Sequence, residues 1–426
     1  MKNFSLGIVV LILSASLHAE SINFSVSNAQ KNEKVKILLY VVDNQSEELN
    51  TFAQLIKKAL EFKDQCAVTT CFNAHMPKKQ DALAHKEYSY ILFVHNHLHH
   101  YDWRLFEIDS GAMIKNKKVT KQGNLPRAWA YSFADSVYET LTNDPAFFST
   151  KIAYAKEAYQ KNGTHYTHLY IADYDGSNSE LLVSTPTINV SPRWNNDVNR
   201  PLLFYSENTN ANMRMMASDM KQKRVVASNF DGLNMLPSFS PDGMSVVYCA
   251  TRGSGKCQLY RWSGKQLKNL TNNNGNNFAP AYGAQGKEIF FSSDFETGQP
   301  QIYSYQVDTQ ELTRITPDGY CTSPTYCAHT NKLGYAKLVN GVMQLFSYDV
   351  KNKKHQQLTF DMVQKDECVW SPCGTFLMCP YDNGKTSKVS LFNTITNKYT
   401  HLTQCKESCY YPAWSPTYNE YPIVKA

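Results

Sequence analysis

Short apolar runs in which alternate residues are hydrophobic fill the chain from about residue 150 to its end. Residues 245–248 and 301–305 are two of these runs, and the segments between neighbouring runs carry Gly, Asn or Asp. A period of two with turn residues between the runs predicts β-strands joined by hairpins. No stretch here keeps an uninterrupted period of 3.6, so the pattern excludes helical repeats.

Two independent ladders of spacing divide this region into units of about 44 residues. The first ladder is a set of anchor positions, most of them proline followed two residues later by an aromatic residue. Successive anchors lie 43 to 45 residues apart: Pro192, Pro237, Pro280, Pro324, Cys368 and Pro412. The second ladder closes each unit with the same period: Ser184, Ser228, Thr271, Thr316, Thr359 and Thr403. Four strands in each such unit predict a six-bladed β-propeller.

The two ends of the propeller region are predicted to share one blade. Residues 151–154 start at what is the second strand of a unit, whereas residues 411–414 form a first strand with no successor. Joining them leaves no open sheet edge for unwanted pairing. We expect the anchor proline to open each inner strand and the aromatic residue after it to pack between blades.

The region before the propeller has a different pattern. Strands are predicted at residues 22–26, 35–42, 88–94 and 103–108, and two helices show apolar residues on one face. The residues on those faces are Leu49, Phe52, Ile56, Ala59 and Leu60, then Ala130, Phe133, Ala134, Val137 and Leu141. The predicted fold class is therefore an α/β N-terminal domain, residues 20–149, followed by an all-β six-bladed β-propeller, residues 150–426.

Residues 1–19 have the form of a secretory signal peptide. A basic start at Lys2 precedes a short apolar run and a small residue, Ala19, at the expected cleavage point. No later segment has about 18 consecutive apolar residues, so no transmembrane segment is predicted in the mature chain. We expect the protein to be exported, cleaved after Ala19 and periplasmic.

Composition excludes one class of partner and raises a question about cysteine. The formal net charge of +6 is not gathered into a basic block, which argues against nucleic acid. The eleven cysteines form local groups, among them Cys249 with Cys257, and fit an oxidising compartment. Their odd number leaves at least one thiol outside any intramolecular pair. Disulfide pairing and simple burial both remain open.

No cofactor, metal or catalytic residue is predicted. His95, His97, His99 and His100 follow a strand, but no acidic or thiol ligand joins them before Asp102, so a solvated loop is preferred to a metal site. Residues 173–178 resemble a calcium loop without its final Glu, and an ordinary turn is preferred. The chain has no nucleophile elbow, zinc-protease helix, phosphate loop or dinucleotide fingerprint.

The inner strands of a propeller line its central channel, where an enzyme generally places its polar groups. Here these strands contain no histidine and few charges, so the channel mouth is expected to be uncharged. The segments that enter them carry amides, aromatic residues and Met, such as Asn189, Asn234 and Asn277. Such side chains suit recognition of a peptide or protein better than acid-base chemistry.

With these features the chain resembles the TolB family of the Gram-negative Tol-Pal system over essentially its whole length. The segments that carry the resemblance are residues 17–19, 134–139, 151–154, 173–176 and 412–416. The resemblance implies a non-enzymatic adaptor that serves outer-membrane integrity and cell division. Its propeller face is expected to bind a peptidoglycan-associated lipoprotein and its N-terminal segment the inner-membrane protein TolA, with other outer-membrane proteins as further possible partners.

Carried over by position, the resemblance also assigns candidate contact residues. Those for the lipoprotein are Asn189, Leu233, Asn234, Met235, Leu236, Asn276, Asn277, Phe278, Ala279, Asp366 and Glu367. Those for the TolA-like protein are Glu20, Ser21, Ile22, Asn23 and Phe24. Two rival hypotheses stay open: a propeller enzyme acting on an envelope polysaccharide or peptide, and a protein cross-linked by its cysteines into an envelope network.

Overall fold

The computed structural model describes residues 34–42, 47–73, 78–97, 99–120, 126–209, 212–253 and 255–418. The predicted signal peptide, the predicted strand at residues 22–26 and the predicted TolA-binding segment, Glu20 to Phe24, lie outside the described residues. Among the described residues, every helix is too short or too polar to cross a membrane.

The N-terminal region is a five-stranded sheet with helices. Its strands are β1 (Val35–Val42), β2 (Cys66–Asn73), β3 (Tyr90–Asn96), β4 (His100–Glu107) and β5 (Met113–Thr120). Its helices are α1 (Glu47–Glu61), α2 (Lys79–Ala82) and α3 (Pro126–Thr142). The strand order is β2-β1-β3-β4-β5, with β1 parallel to β2 and β3 and the last three strands antiparallel. The apolar faces predicted for α1 and α3 are buried together against the sheet.

The propeller has six four-stranded blades, as the spacing predicted. Blade 1 comprises β9 (Ile188–Trp194), β10 (Leu202–Asn208), β11 (Met213–Asp219) and β12 (Arg224–Ser228). Blade 2 comprises β13 (Asn234–Phe239), β14 (Ser245–Ala250), β15 (Gln258–Ser263) and β16 (Gln266–Asn269). Blade 3 comprises β17 (Asn277–Tyr282), β18 (Glu288–Ser293), β19 (Gln301–Gln306) and β20 (Leu312–Arg314).

The other three blades complete the ring. Blade 4 comprises β21 (Cys321–Cys327), β22 (Lys332–Val339), β23 (Val342–Asp349) and β24 (Lys354–Gln357). Blade 5 comprises β25 (Val369–Trp370), β26 (Phe376–Asp382), β27 (Ser387–Asn393) and β28 (Lys398–His401). Blade 6 comprises β29 (Cys409–Trp414), β6 (Lys151–Tyr159), β7 (His165–Asp173) and β8 (Glu180–Val183).

Blade 6 joins the two ends of the propeller, as predicted. Ala413 pairs with Ala153 and Trp414 with Ile152 in an antiparallel register. Ser415 reinforces the join, because its backbone N–H donates to the Lys151 carbonyl and its hydroxyl accepts from the Lys151 N–H, both at 2.8 Å. The ring is therefore closed by hydrogen bonds between residues more than 250 positions apart along the chain.

The anchor prolines do not open the inner strands, and that expectation was wrong. Pro237 and Pro280 lie in the middle of β13 and β17, at the points where the pairing register with the next strand shifts. A bulge leaves the residue without a ladder partner, so a proline, which has no N–H, is tolerated there. The aromatic residues do pack between blades: the Phe239 ring lies 4.7 Å from the Phe204 ring of blade 1.

The N-terminal region packs on one face of the propeller. The Phe62 ring contacts Phe376, at the start of β26, with a centroid distance of 5.7 Å, and also contacts Tyr174 in the turn after β7. The same turn is held by Arg127 Nη1, which lies 2.8 Å from Asp173 Oδ2. Its carboxylates are thus engaged by cations of the protein, which fits the predicted ordinary turn.

The cysteines are mostly buried, and the structure supports only part of the local pairing. All eleven are free thiols, and nine of them are buried. Cys66 and Cys71 cannot pair because they lie five residues apart on β2 and therefore point to opposite faces. Cys405 and Cys409 do meet, with their Sγ atoms 2.8 Å apart. Burial of most thiols argues against a network cross-linked through them.

Candidate docking face of the propeller

The contact residues predicted for the lipoprotein lie on the propeller face opposite the N-terminal region. In every blade the loop that leads into the inner strand and the loop between the second and third strands lie at the same end of the sheet, because neighbouring strands are antiparallel. The N-terminal region packs on the other end, against the turns at Tyr174 and Phe376. We call the end that carries the inner-strand entry loops the free face.

The three candidate amides on this face are completely buried. Asn189, Asn234 and Asn277 occupy the same position in blades 1, 2 and 3, and each has 0% of its surface exposed. The Asn234 Oδ1 accepts hydrogen bonds from Ser228 Oγ at 2.9 Å and from the Phe230 N–H at 3.1 Å. These side chains shape the entry loops from within, so they are not available to contact a partner directly.

Asn277 shows how completely such an amide is used. Its Nδ2 group lies within hydrogen-bonding distance of Gln258 Oε1 at 3.0 Å and of Asn273 Oδ1 at 2.9 Å. Its Oδ1 accepts from Ser293 Oγ at 2.8 Å. One side chain therefore ties the entry loop to β15 of blade 2 and β18 of blade 3, and a buried polar group of this kind is costly to leave unpaired.

Two residues after the position that Asn189, Asn234 and Asn277 occupy, the backbone takes a left-handed conformation in all six blades. The φ angles lie between 47° and 56° at Ser191, Leu236, Ala279, Ser323, Glu367 and Tyr411. L-residues with side chains rarely adopt such angles, so the bulge imposes local strain. Four of these residues, Leu236, Ala279, Ser323 and Glu367, line the central cavity of about 340 Å³. In four of the six blades the bulge thus places the residue with the left-handed angle at the channel.

The channel is charged, which contradicts the expected uncharged mouth. Glu367 Oε2 lies 3.6 Å from Arg193 Nη2 and accepts a hydrogen bond from Ser191 Oγ at 3.3 Å. The adjacent Asp366 accepts from Ser323 Oγ at 2.8 Å. Burial raises the pKa of Glu367 to about 7 against the opposing effect of Arg193. Burial likewise raises the pKa of Asp366.

The remaining candidate residues differ in how far they reach solvent. Leu233 is exposed, and its N–H donates to Thr251 Oγ1 at 3.0 Å. Met235 and Phe278 are half-buried and pack against the core of blades 2 and 3. Asn276 is half-buried and donates through Nδ2 to Asp294 Oδ2 at 3.0 Å. Leu233, Met235 and Phe278 therefore supply apolar surface at the free face.

Four exposed apolar residues on blades 4 and 5 are not predicted from the sequence, and we call them the apolar patch. They are Tyr320, Leu338, Phe360 and Met362, all at the free-face ends of their strands or in the entry loops. Phe360 and Met362 are the most prominent, at 77% and 80% exposed. Tyr320 and Leu338 are neighbours, because the Leu338 N–H donates to the Tyr320 carbonyl at 2.9 Å. The signal in the sequence that could have revealed it is the pair of large apolar residues, Phe360 and Met362, in a short polar loop.

The comparison with known families decides the assignment of this propeller. The family model described as "TolB beta propeller domain" matches residues 138–418, which include all six blades. The chain belongs to the TolB β-propeller family.

Curated relatives of the TolB family match part of the chain. A "Tol-Pal system protein TolB" from Francisella tularensis subsp. mediasiatica (strain FSC147) is 35% identical over 194 residues, 44% of this chain and 43% of that protein. The protein of the same name from subsp. tularensis (strain SCHU S4 / Schu 4) is 34% identical over the same length and shares. The chain thus spans about two fifths of the length of the curated relatives it matches.

Solved structures match the fold more extensively. The crystal structure of TolB from Acinetobacter baumannii superposes with a TM-score of 0.76 and 22% identity, and covers 90% of this chain and 98% of that chain. A chain of the nidogen/laminin complex matches with a TM-score of 0.51 and 9% identity over 63% of this chain and 99% of that one. These two matches show the fold alone.

Proposed function

We propose that this protein is a non-enzymatic periplasmic adaptor of a Tol-Pal type envelope complex that serves outer-membrane integrity and cell division. The observation that carries the proposal is a TolB-family propeller with one face packed against the N-terminal region and the other carrying an exposed apolar patch. Export is inferred from the signal-like residues 1–19 and from relatives named as Tol-Pal proteins. Cleavage after Ala19 would release the mature chain into the periplasm.

The free face is the proposed docking site for a peptidoglycan-associated lipoprotein. Leu233, Met235 and Phe278 supply apolar contacts on blades 2 and 3, and the patch supplies more on blades 4 and 5. Asp366 and Glu367 supply acceptors at the channel. Apolar residues beside a few polar groups are the usual composition of a protein interface. Asn189, Asn234 and Asn277 contribute indirectly, since they hold the loops that carry these contacts.

A capture experiment tests the docking site. Mature protein, immobilised through a C-terminal biotin tag, is incubated with detergent-solubilised envelope from its own organism. Phe360→Asp and Met362→Asp should each abolish or strongly reduce capture of the lipoprotein, because a carboxylate in an apolar contact is costly to desolvate. Ile395→Asp is the matched control. Ile395 is likewise a prominent apolar residue of blade 5, at 67% exposed, but it lies in the turn after β27 on the opposite face.

The outcomes of this experiment are distinct. Loss of capture with both patch variants and normal capture with Ile395→Asp supports the free face as the site. Equal capture by all four proteins contradicts that location. Failure of the parent protein itself to capture a lipoprotein contradicts the proposed partner.

The N-terminal segment is the proposed contact for a TolA-like inner-membrane protein. Removing Glu20, Ser21, Ile22, Asn23 and Phe24 should abolish capture of that protein and leave lipoprotein capture unchanged. Loss of both partners, or of neither, contradicts a separate role for the segment. Other outer-membrane proteins recovered with the parent can be assigned to either site by the same two sets of variants.

One observation favours a second candidate, a propeller enzyme acting on an envelope polysaccharide or peptide. A carboxyl group with a pKa of about 7 in a cavity, as at Glu367, is suited to proton transfer near neutral pH. Turnover of cell-wall fragments by the parent that is lost in Glu367→Gln would support this candidate. No release of fragments by the parent would exclude it for those substrates.

A further inference from the structure

The hairpin between β3 and β4 gathers metal-ligating side chains on one face of the N-terminal sheet. His95 pairs with Asp102 across the two strands, and the His97 N–H donates to the His100 carbonyl at 2.9 Å in the turn. Directly paired residues in an antiparallel hairpin point to the same face, and so do residues two apart on one strand. His95, His97, His100 and Asp102 therefore form a two-by-two block on one face.

The side chains of this block are in contact. His97 Nε2 lies 3.1 Å from Asp102 Oδ2, and His100 Nε2 lies 3.7 Å from Asp102 Oδ1. The ligand atoms of these three residues all lie within 4.8 Å of one another. Zinc bonds nitrogen and oxygen at about 2.0–2.2 Å in tetrahedral sites, which separates neighbouring ligand atoms by about 3.3 Å. The two distances to Asp102, 3.1 and 3.7 Å, are thus close to those of ligands that share one ion.

The imidazole rings lie against one another at the tip of the hairpin, those of His97 and His100 stacked and that of His95 tilted. The ring of His97 lies 4.3 Å from the ring of His100 and 4.2 Å from the ring of His95. The three ligands are only partly exposed, with side-chain exposures of 34% for His97, 21% for His100 and 32% for Asp102.

One positive charge faces the cluster from the next strand. Lys118 of β5 pairs directly with Asp102. Its exposed side chain is free to turn towards solvent, so its charge would weaken binding of a cation without blocking the site.

We propose that His97, His100 and Asp102 bind one divalent transition-metal ion of the zinc class, with His95 beside them as a further imidazole. Two imidazoles and one carboxylate are a donor set that zinc accepts, whereas calcium and magnesium prefer oxygen ligands. From the sequence alone a solvated loop is the preferred interpretation, because Asp102 lies five residues after His97. The register of the hairpin brings Asp102 beside the histidines, and His99 lies outside the block.

Zinc titration of the mature protein tests the site. The protein is prepared without a polyhistidine tag, treated with chelator, and titrated with zinc chloride by calorimetry and with cobalt(II) chloride by visible absorption. We expect one ion per chain and an intense cobalt spectrum typical of tetrahedral coordination. His97→Ala, His100→Ala and Asp102→Asn should each weaken zinc binding about tenfold or more.

Two further variants separate this site from general surface binding. His329→Ala is the matched control, since His329 Nε2 lies 3.4 Å from Asp144 Oδ1 in a histidine–carboxylate pair without a second imidazole. This variant should bind zinc as the parent does. Lys118→Gln should bind zinc more tightly, because it removes a repelling charge and no ligand.

Circular dichroism spectra and melting temperatures recorded without metal check that each variant is folded. Zinc should raise the melting temperature of the parent and of His329→Ala, and leave that of His97→Ala unchanged. The proposal is overturned if the folded His97→Ala/His100→Ala double variant binds zinc with the affinity and stoichiometry of the parent. It is also overturned if the parent shows no saturable binding.

Discussion

The two halves of the propeller ring hold the same entry loop in different ways. In blades 1 to 3 the buried position at the start of the inner strand is Asn, and the amide ties the loop through neutral hydrogen bonds. In blades 4 to 6 the same position is Cys321, Lys365 and Cys409. Lys365 is fully buried, and its ammonium contacts the Asp361 carboxylate and the Val363 carbonyl. All six blades share the left-handed backbone angle after this position, but the side chains that hold the entry loop differ in their chemistry.

This difference continues into the channel. The left-handed positions of blades 1 to 3 carry Ser191, Leu236 and Ala279, whereas blade 5 carries Glu367 next to Asp366. The exposed apolar patch lies on blades 4 and 5, so the half of the ring that carries the channel carboxylates also carries the most exposed apolar side chains of the free face. A repeat that conserves its geometry can therefore concentrate its recognition chemistry in a few blades.

The largest effect is expected from removing the buried cation of blade 5. Lys365→Met should lower the free energy of unfolding by about 3 kcal/mol, since the fully buried ammonium is lost and both the Asp361 carboxylate and the Val363 carbonyl lose their donor. Urea unfolding followed by tryptophan fluorescence measures the change. Lys385→Met, at an exposed lysine of the same blade, should leave the stability within about 0.5 kcal/mol of the parent. Equal effects of the two changes would contradict the loop-holding role of Lys365.

A slightly smaller effect is expected in the neutral half. Asn277→Ala should lower the free energy of unfolding by roughly 2–3 kcal/mol, because several buried donors and acceptors lose their partner at once. The exposed Asn274, three residues earlier in the same loop, provides the control Asn274→Ala. If Asn277→Ala proves as harmless as this control, the amide does not hold the loop.

The charged channel predicts a difference in pH dependence. The folded-state pKa of Glu367, about 7, lies above its ordinary value of 4.5, so between these two pH values the folded protein binds more protons than the unfolded chain. The stabilisation from this group is present in full below pH 4.5 and is lost as the pH rises through 7. Between pH 5 and pH 8 the free energy of unfolding should therefore fall by roughly 2 kcal/mol less in Glu367→Gln than in the parent. Parallel stability profiles for parent and variant would contradict the shift.

The smallest effect concerns blade 6, where Cys409 occupies the loop position. Contact with the Cys409 thiol, followed by Lys156, lowers the pKa of Cys405 to about 6. Brief treatment with iodoacetamide at pH 7 should therefore label Cys405 before the other thiols, as mapped by peptide mass spectrometry. Prior mild oxidation should protect it by joining it to Cys409. Labelling of a buried cysteine such as Cys321 ahead of Cys405 would contradict this ordering.

The propeller was predictable because its signals repeat. Six anchors and six closing Ser or Thr residues at one period are sufficient to predict blades, strand order and closure through residues 411–414. The strands β2 and β5 were not predicted. β5 is largely exposed and rich in Lys, and β2 is only partly buried, so neither shows a strong alternation of apolar and polar residues.

The site was less predictable for a physical reason. Whether Asn277 faces a partner or the protein interior depends on the bulge that follows it, and the left-handed angle at Ala279 has no marker such as glycine in the sequence. The ion pair of Arg193 with Glu367 joins blades 1 and 5, which are far apart in sequence. The histidine–aspartate cluster likewise depends on the register of one hairpin.

The central claim is that the free face of this TolB-family propeller docks an envelope lipoprotein. Its most direct test is photo-crosslinking in living cells with a benzophenone amino acid placed at Met362 or, on the opposite face of the same blade, at Ile395. The account predicts an adduct with a peptidoglycan-associated lipoprotein from position 362 and none from position 395. An adduct from position 395 alone, or none from either position while the protein is present at its normal level, would contradict it.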